Sequence, residues 1–243
     1  MRQGWVGLVG PWYYADKDNL LSIQTGITKT ARLPLGQTWC HEQIEDAFEN
    51  LFASVSKQLA DKNRSEPLTS AMHWLIESEQ CAGAVEGSII LQQAAFECLA
   101  WLEIVQTRKL CSPDGFKNLP AADKIRWLLS LKNISAEIPI KSHDIMRYAK
   151  EFNLGCLTDV MVEVRNALIH AEPKKTAKLF SRQSGSDERT QLWHQIGGIL
   201  QQAVLASLGY DGLMMRRDID EKYAANAVVD VPWRIKPLNP SIA

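Results

Sequence analysis

Apolar residues recur three and four positions apart through most of the chain between residues 38 and 208. This spacing places them on one face of an α-helix. The pattern predicts helices over 38–60, 68–79, 83–105, 121–131, 142–152, 159–172 and 189–208. The intervening 61–67 is polar and 111–120 contains proline and glycine, so both are predicted to be loops. We therefore expect an all-α fold, a bundle of about seven helices.

The two ends of the chain differ from this helical body. The first 36 residues are rich in glycine and aromatic residues, and the last part of the chain is punctuated by proline. We predict an irregular N-terminal arm over 1–36, a helical domain over 37–217 and an extended C-terminal tail over 218–243. The arm is expected to pack on the helices, although its aromatic residues could instead stack on bases.

The segment 83–105 is apolar around most of its circumference, which is typical of a helix in the middle of a bundle. Glu97 interrupts this apolar surface. Burial of a carboxylate is costly unless a partner compensates its charge. We expect Glu97 either to meet a cationic or hydrogen-bonding partner, for which Arg165 is a candidate, or to reach solvent.

The segment Asp159 to Glu172 predicts a helix with two apolar faces, and Pro173 is expected to end it. The broad face is made by Val160, Met161, Val164, Ala167, Leu168 and Ala171. At about 100° per residue, Val162 and Ile169 fall on nearly the opposite side. Arg165 lies on one flank between the faces, and Glu163, Asn166 and His170 lie on the other. The broad face predicts docking on the core, whereas the narrow strip needs another explanation.

Composition and charge indicate which classes of protein the chain can belong to. The chain has 243 residues, 46% of them hydrophobic, and a net charge of −1. This balance excludes wholesale electrostatic coating of nucleic acid but leaves room for a local basic patch. The five cysteines form no CxxC pair, which favours reduced thiols in a cytoplasmic protein. We find no signal peptide and no apolar run long enough to span a bilayer, so we expect a soluble protein without a membrane partner.

Candidate chemistry narrows to one short motif. The chain lacks GxGxxG, a Walker A loop and a GxSxG elbow. What remains is RNALIH, an Arg165 followed after four residues by His170. The pair is common by itself, and its position late in an all-α domain, after an apolar helix bearing a glutamate, makes it more specific.

In this setting the chain resembles the HEPN superfamily, especially the larger HEPN domains of bacterial defence and toxin proteins. The matching pieces are EGSIILQQAAFECLAWLEIV, ADKIRWLL, DVMVEVRNALIHAE and LASLGYDGLMMRR, and the resemblance covers roughly residues 65 to 217. It implies a metal-independent endoribonuclease without a cofactor. It also implies a homodimer in which the Arg-to-His motifs of two subunits meet across a two-fold axis in one composite cleft.

The helical wheel agrees with a dimer. Arg165 and His170 are five residues apart, about 140° around a helix, so they flank the Val162 and Ile169 strip. If two copies of that strip pair, the arginine of one subunit approaches the histidine of the other. The alternative is that Val162 and Ile169 face another helix of the same chain.

Cleavage of RNA without a metal needs a base for the 2′-OH, an acid for the leaving 5′-oxygen and a cation for the phosphate. His170 suits the proton transfers and Arg165 suits the phosphate. Asn166 could orient the imidazole or bind phosphate, and Glu97 and Glu163 are supporting candidates. The motif is followed by lysines that either guide the RNA backbone or form a solvated loop: Lys174, Lys175 and Lys178.

Three functional hypotheses follow. The first is a ribonuclease effector, a toxin or anti-phage defence component controlled by a regulatory or antitoxin protein. The second is a non-catalytic HEPN-like module that dimerises and binds RNA, a nucleotide or a protein. The third is a structural helical subunit in which Arg165 and His170 only satisfy buried hydrogen bonds.

Overall fold

The computed structural model describes residues 13–15, 20–22, 44–80, 84–140, 142–170, 188–215 and 228–234. Within these ranges the fold is an all-α bundle, as expected. Its helices are α1 (Ile44–Ala60), α2 (Lys62–Glu79), α3 (Ala84–Ala100), α4 (Pro113–Asn118), α5 (Ala121–Leu131), α6 (His143–Glu151), α7 (Leu157–Ile169) and α8 (Glu188–Leu208). A π-helical segment, Trp101–Thr107, continues α3.

Two short antiparallel hairpins accompany the bundle. Strand β1 (Tyr13–Ala15) pairs with β2 (Leu20–Ser22), and β3 (Leu213–Met215) pairs with β4 (Val228–Asp230). The second hairpin follows the end of α8, where Gly209 adopts a φ of 79° that suits glycine at a helix C-terminus. The tail segment 228–234 therefore lies against the helical domain, and Val231 belongs to the core.

Helix α3 is central because α2, α5, α7 and α8 all pack against it. Its side chains Ile89, Phe96 and Leu99 are essentially inaccessible to solvent. Contrary to the expectation from the sequence, the stretch Val85–Thr107 among the described helices is long and apolar enough to cross a membrane by length and composition alone. However, 61% of the apolar window in this stretch is buried inside the bundle, so the stretch packs as a core helix.

The prediction that 61–67 is a loop was wrong. Helix α2 begins at Lys62, and Asp61 caps it by accepting a hydrogen bond of 2.9 Å from the backbone N–H of Asn63. Pro67 lies inside this helix, where it lacks an N–H to donate. The first turns are nevertheless held, because the side chain of Arg64 is bound to residues of other elements.

The prediction that 111–120 is a loop was also wrong. Ser112 caps α4 by accepting a hydrogen bond of 3.1 Å from the N–H of Gly115, and Pro113 begins the helix. Proline is favoured there because its fixed φ suits the first helical position. The helix buries Phe116, whose ring meets Trp101 edge-on at 5.4 Å between centroids.

The remaining helices occur near their predicted positions. Helices α5, α6 and α8 differ from the predicted ranges by at most a residue or two at either end. Most of the predicted arm and tail lies outside the described residues. The same holds for residues 38–43 and for 171–187, a range that includes Pro173. Of the five cysteines, the three that the structure describes are free: Cys98, Cys111 and Cys156.

Candidate functional site

The N-terminus of α7 is fixed by a dense set of hydrogen bonds. Cys156 is the cap, and the carboxylate of Asp159 accepts hydrogen bonds of 3.1 Å from the backbone N–H groups of Gly155 and Cys156. This is the reciprocal pattern of a capping box. The same carboxylate pairs with Arg126 on α5. The helix therefore begins at Leu157, two residues before the predicted start, and is anchored to α5.

The broad apolar face of α7 is confirmed for the residues that the structure describes, which include a partly buried Leu168 but not Ala171. Val160, Met161, Val164 and Ala167 are buried, and the helix packs mainly on α3 and α5. The two residues of the narrow strip differ in burial. Val162 is partly buried against the core of its own chain, whereas Ile169 exposes 45% of its surface. The two strip residues therefore do not form one equally exposed surface.

Arg165 and Asn166 are joined within the chain. The guanidinium Nη1 of Arg165 donates a hydrogen bond of 3.1 Å to the side-chain oxygen of Asn166, and both residues are half-buried. The helical wheel places them on opposite flanks, but an arginine is long enough to reach its neighbour. The bond restrains the arginine side chain near the C-terminal end of α7. Less side-chain entropy is therefore lost when a ligand binds to it.

His170 lies directly beyond the last residue of α7. It is the C-terminal cap, with φ −90° and ψ 9°, and its backbone N–H donates a hydrogen bond of 2.9 Å to the carbonyl of Asn166. The residue is exposed. One end of one helix therefore carries an oriented arginine, its asparagine partner and an exposed imidazole. This set can bind an anion and move a proton.

Glu97 has a cationic and a hydrogen-bonding partner, as expected, but its partner is not the candidate Arg165. Glu97 instead accepts a hydrogen bond of 2.8 Å from Gln93 and lies 3.9 Å from the ammonium of Lys124 on α5. Its side chain is 36% exposed, so it reaches solvent as well as a cation. The carboxylate therefore joins α3 to α5 and does not touch the arginine of the motif.

The other supporting candidates have separate outcomes. Glu163 is half-buried on α7. The three lysines proposed to guide RNA, Lys174, Lys175 and Lys178, lie outside the described residues. No group of three or more His, Cys, Asp or Glu side chains that could hold a metal ion occurs in the described part of the chain.

A second polar cluster centres on Glu103, in the π-helical segment, and the sequence analysis missed it. The carboxylate is only 3% exposed and lies 2.9 Å from Arg64, 2.9 Å from Lys132 and 3.9 Å from Arg108. We name these four residues the Glu103 cluster. One signal in the sequence could have revealed it. Glu103 is flanked by the apolar residues Leu102, Ile104 and Val105, so a helix packed in the core must bury this glutamate.

The π-helical hydrogen-bond pattern contributes to this cluster. The N–H of Arg108 donates to the carbonyl of Glu103 over 3.1 Å, five residues back rather than four. In this segment the guanidinium of Arg108 lies 3.9 Å from the carboxylate of Glu103. Arg64 then donates a hydrogen bond of 2.6 Å to the hydroxyl of Thr107.

The end of α8 also meets the cluster. Arg64 donates to the carbonyl of Ser207 over 3.0 Å, and Lys132 donates to that of Ala206 over 3.4 Å. Cations are favourable at a helix C-terminus, where carbonyls lack helical partners. Burial nevertheless lowers the pKa of Lys132, and the nearby Glu103 only partly offsets it by raising that pKa. Arg108 and Arg64 add to the lowering.

Comparison with known proteins gives one family. The model of the YopA C-terminal domain matches residues 61–221, which is most of the helical bundle. The chain is also 25% identical over 203 residues to the SPbeta prophage-derived uncharacterized protein YopA of Bacillus subtilis (strain 168). That alignment covers 82% of this chain but only 43% of the relative, so the chain spans less than half of the relative's length.

No solved structure matches the chain. The resemblance to the HEPN superfamily is tested by none of these comparisons and stays a prediction. The family match alone covers about two thirds of the sequence, and it includes both α7 and the Glu103 cluster. The chain therefore belongs to the YopA C-terminal domain family.

Proposed function

We propose that the chain is a metal-independent endoribonuclease that cuts RNA at a site shared by two subunits. The observation that carries the proposal is the outer end of α7, where Arg165 is hydrogen-bonded to Asn166 and His170 is exposed. A fixed guanidinium and an accessible imidazole are what phosphate binding and proton transfer require. The HEPN-like order of these residues adds to this support.

The reaction needs two proton-transfer groups on opposite sides of one phosphate. His170 of one subunit takes the proton of the 2′-OH, and the 2′-oxygen forms a bond to phosphorus. The bond from phosphorus to the 5′-oxygen breaks, and the protonated His170 of the other subunit supplies the proton of the leaving 5′-OH. Arg165 stabilises the charge on the phosphate oxygens. The products carry a 2′,3′-cyclic phosphate and a 5′-OH.

Ile169 is the residue on which we centre the subunit interface. It lies next to His170 and is 45% exposed, unlike the partly buried Val162. Two copies of α7 that meet at Ile169 bring two histidines to the same axis, because a two-fold contact pairs each surface with itself. The proposed seam is therefore shorter than the strip expected from the sequence.

The biological setting is part of the same proposal. The similar Bacillus subtilis protein is described as prophage-derived. We propose that this chain acts in the cytoplasm as a toxin or anti-phage defence effector held in check by a regulatory or antitoxin protein. An enzyme that cuts cellular RNA needs such control. A non-catalytic module that binds RNA is the outcome to expect if binding occurs without cleavage.

Labelled RNA incubated with the purified dimer and EDTA tests the chemistry. We expect cleavage of RNA but not of DNA, and His170→Ala is expected to lose at least about a hundredfold in rate. Because His170 is exposed, this variant should unfold within about 0.5 kcal/mol of wild type. His143→Ala, which changes an exposed histidine on α6, is the matched control and should cut normally. Intact RNA with wild-type protein would refute the proposal.

Analytical ultracentrifugation of Ile169→Asp tests the interface. The buried aspartate would have to lose water in the seam, so we expect a monomer that no longer cleaves RNA. Ile140→Asp is the control, since Ile140 is 83% exposed in the loop before α6. A dimer that survives Ile169→Asp would place the interface elsewhere, and dissociation of Ile140→Asp as well would show that the effect is not specific to Ile169.

A further inference from the structure

The Glu103 cluster holds more positive than negative charge. Three cations, Arg64, Arg108 and Lys132, face one carboxylate, and within the described ranges Glu103 is the only carboxylate paired with them. The carbonyls at the end of α8 offset about half a charge. An excess of more than one positive charge therefore remains in a place where Arg64 and Lys132 are mostly buried. Such an excess is costly unless an anion compensates it.

The cluster is open to solvent on one side. The side chain of Arg108 is 44% exposed, and Thr107 and Lys109 beside it are exposed as well. The ion pair of Arg108 is also the longest of the three, at 3.9 Å. Its planar guanidinium can therefore turn part of its fork towards a ligand without breaking a short contact.

Donors in the cluster are left for a ligand. The hydroxyl oxygen of Thr107 accepts the hydrogen bond from Arg64, so its own hydrogen can point outward to another acceptor. The Nε of Arg64 is buried and has no partner among the residues that the structure describes. A ligand with several acceptor oxygens suits this arrangement better than one with a single acceptor.

We propose that the Glu103 cluster binds a phosphate group that approaches beside Arg108 and Thr107. A phosphate monoester carries about 1.5 to 2 negative charges at neutral pH and three acceptor oxygens, which matches the excess of cations. Guanidinium groups bind two phosphate oxygens at once through their planar fork. A carboxylate would supply only one charge.

This site is separate from the proposed ribonuclease site, and its test does not depend on cleavage. It contains neither Arg165 nor His170. The phosphate could belong to a small phosphorylated molecule or to the backbone of RNA, but each backbone phosphodiester carries only one charge, so the charge match favours a phosphate monoester. The π-helical turn that builds the cluster agrees with a ligand site, since such turns frequently occur at functional sites.

Isothermal titration calorimetry of the wild-type chain with sodium pyrophosphate, at low salt and with EDTA, tests the site. We expect saturable binding that weakens as salt is added. Arg108→Gln removes the charge and the planar fork while it keeps a shorter polar side chain, and should weaken binding about tenfold. Arg147→Gln, which changes an exposed arginine on α6, is the charge-matched control and should bind as wild type does.

Glu103→Gln provides a second variant with the opposite expectation. It removes the competing carboxylate, so pyrophosphate should bind more tightly and should raise the unfolding temperature of this variant more than that of wild type. A structural ion-pair network without a ligand would show neither effect.

Three results would overturn the proposal: no saturable binding by wild type, equal binding by wild type and Arg108→Gln, or an equal loss in Arg147→Gln. Competition with single-stranded RNA that lacks terminal phosphates then identifies the source of the phosphate. Displacement of pyrophosphate by RNA assigns the site to a polymer backbone. Binding of pyrophosphate that RNA does not displace assigns it to a small phosphorylated ligand.

Discussion

Glu103→Gln is the perturbation whose effect on stability follows most directly from the structure. The carboxylate is 3% exposed and lies 2.9 Å from both Arg64 and Lys132. Glutamine has nearly the same shape but no charge. The variant therefore leaves three cations around a neutral amide, and two of these cations are mostly buried. Wild-type packing is kept, so the change in stability reports the electrostatic role of the carboxylate.

Removal of one partner from a buried ion pair costs about 3–5 kcal/mol, because the other partner stays desolvated. The carbonyls at the end of α8 still accept from Arg64 and Lys132, so we expect a value near the lower end, about 3 kcal/mol. For a chain of this size, each kcal/mol lowers the unfolding temperature by about 2–4 °C. The expected decrease is therefore about 6–12 °C.

Urea unfolding followed by far-ultraviolet circular dichroism measures this change in a buffer free of phosphate. Glu97→Gln is the matched control. Glu97 lies on α3, which the π-helical segment of Glu103 continues, but it is 36% exposed and 3.9 Å from Lys124. Exposed ion pairs contribute at most about 1 kcal/mol, so this variant should unfold near wild type. If Glu103→Gln keeps the wild-type midpoint, or if both variants lose the same stability, the electrostatic account of the cluster is wrong.

Two further predictions concern the stability of the helical domain. A Cβ at Gly212 would overlap the side chain of Tyr210, which is fully buried and cannot move away, so Gly212→Ala should lose about 1–3 kcal/mol of unfolding free energy. Gly155→Ala is the control, since its Cβ meets only an ordinary contact, and an equal loss there would contradict the steric reason. Burial lowers the pKa of Lys132, so between that lowered pKa and about 10.4 the unfolded chain holds more protons and stability rises with pH. The free energy of unfolding of wild type relative to Lys132→Met should therefore grow across this window in urea titrations, and a flat or falling difference would refute it.

Helical spacing predicted the fold class and most helices, because the buried face of an amphipathic helix appears in the sequence as apolar residues three and four positions apart. It failed at 61–67 and 111–120, where local capping decides. Asp61 and the Ser112–Pro113 pair are capping signals, but polar and proline-rich segments were interpreted as loops. A capping residue followed by proline at the first helical position was sufficient to predict α4.

The candidate site was predictable only in part. The spacing placed Arg165 on the helix correctly, but His170 is the C-terminal cap rather than a helical residue. The bond from Arg165 to Asn166 depends on side-chain reach, which a helical wheel ignores. The partner of Glu97 could not be found from sequence, because Lys124 comes from a helix whose packing angle is a tertiary property. The Glu103 cluster is harder still, since it needs a change from α- to π-helical pattern and residues from three separate segments.

The β3–β4 hairpin extends the packed domain beyond the end of the family match. The family match ends at residue 221, before β4. Yet β4 supplies the partner strand of β3, Val231 is buried, and the indole N–H of Trp233 donates a hydrogen bond of 2.5 Å to the carbonyl of Tyr210. A protein shortened at residue 221 would expose the edge of β3 and the apolar surface beneath Val231. Unpaired strand edges and newly exposed apolar patches promote self-association. The family boundary therefore cuts through packed structure, and we expect a fragment that keeps this hairpin to extend at least to residue 234.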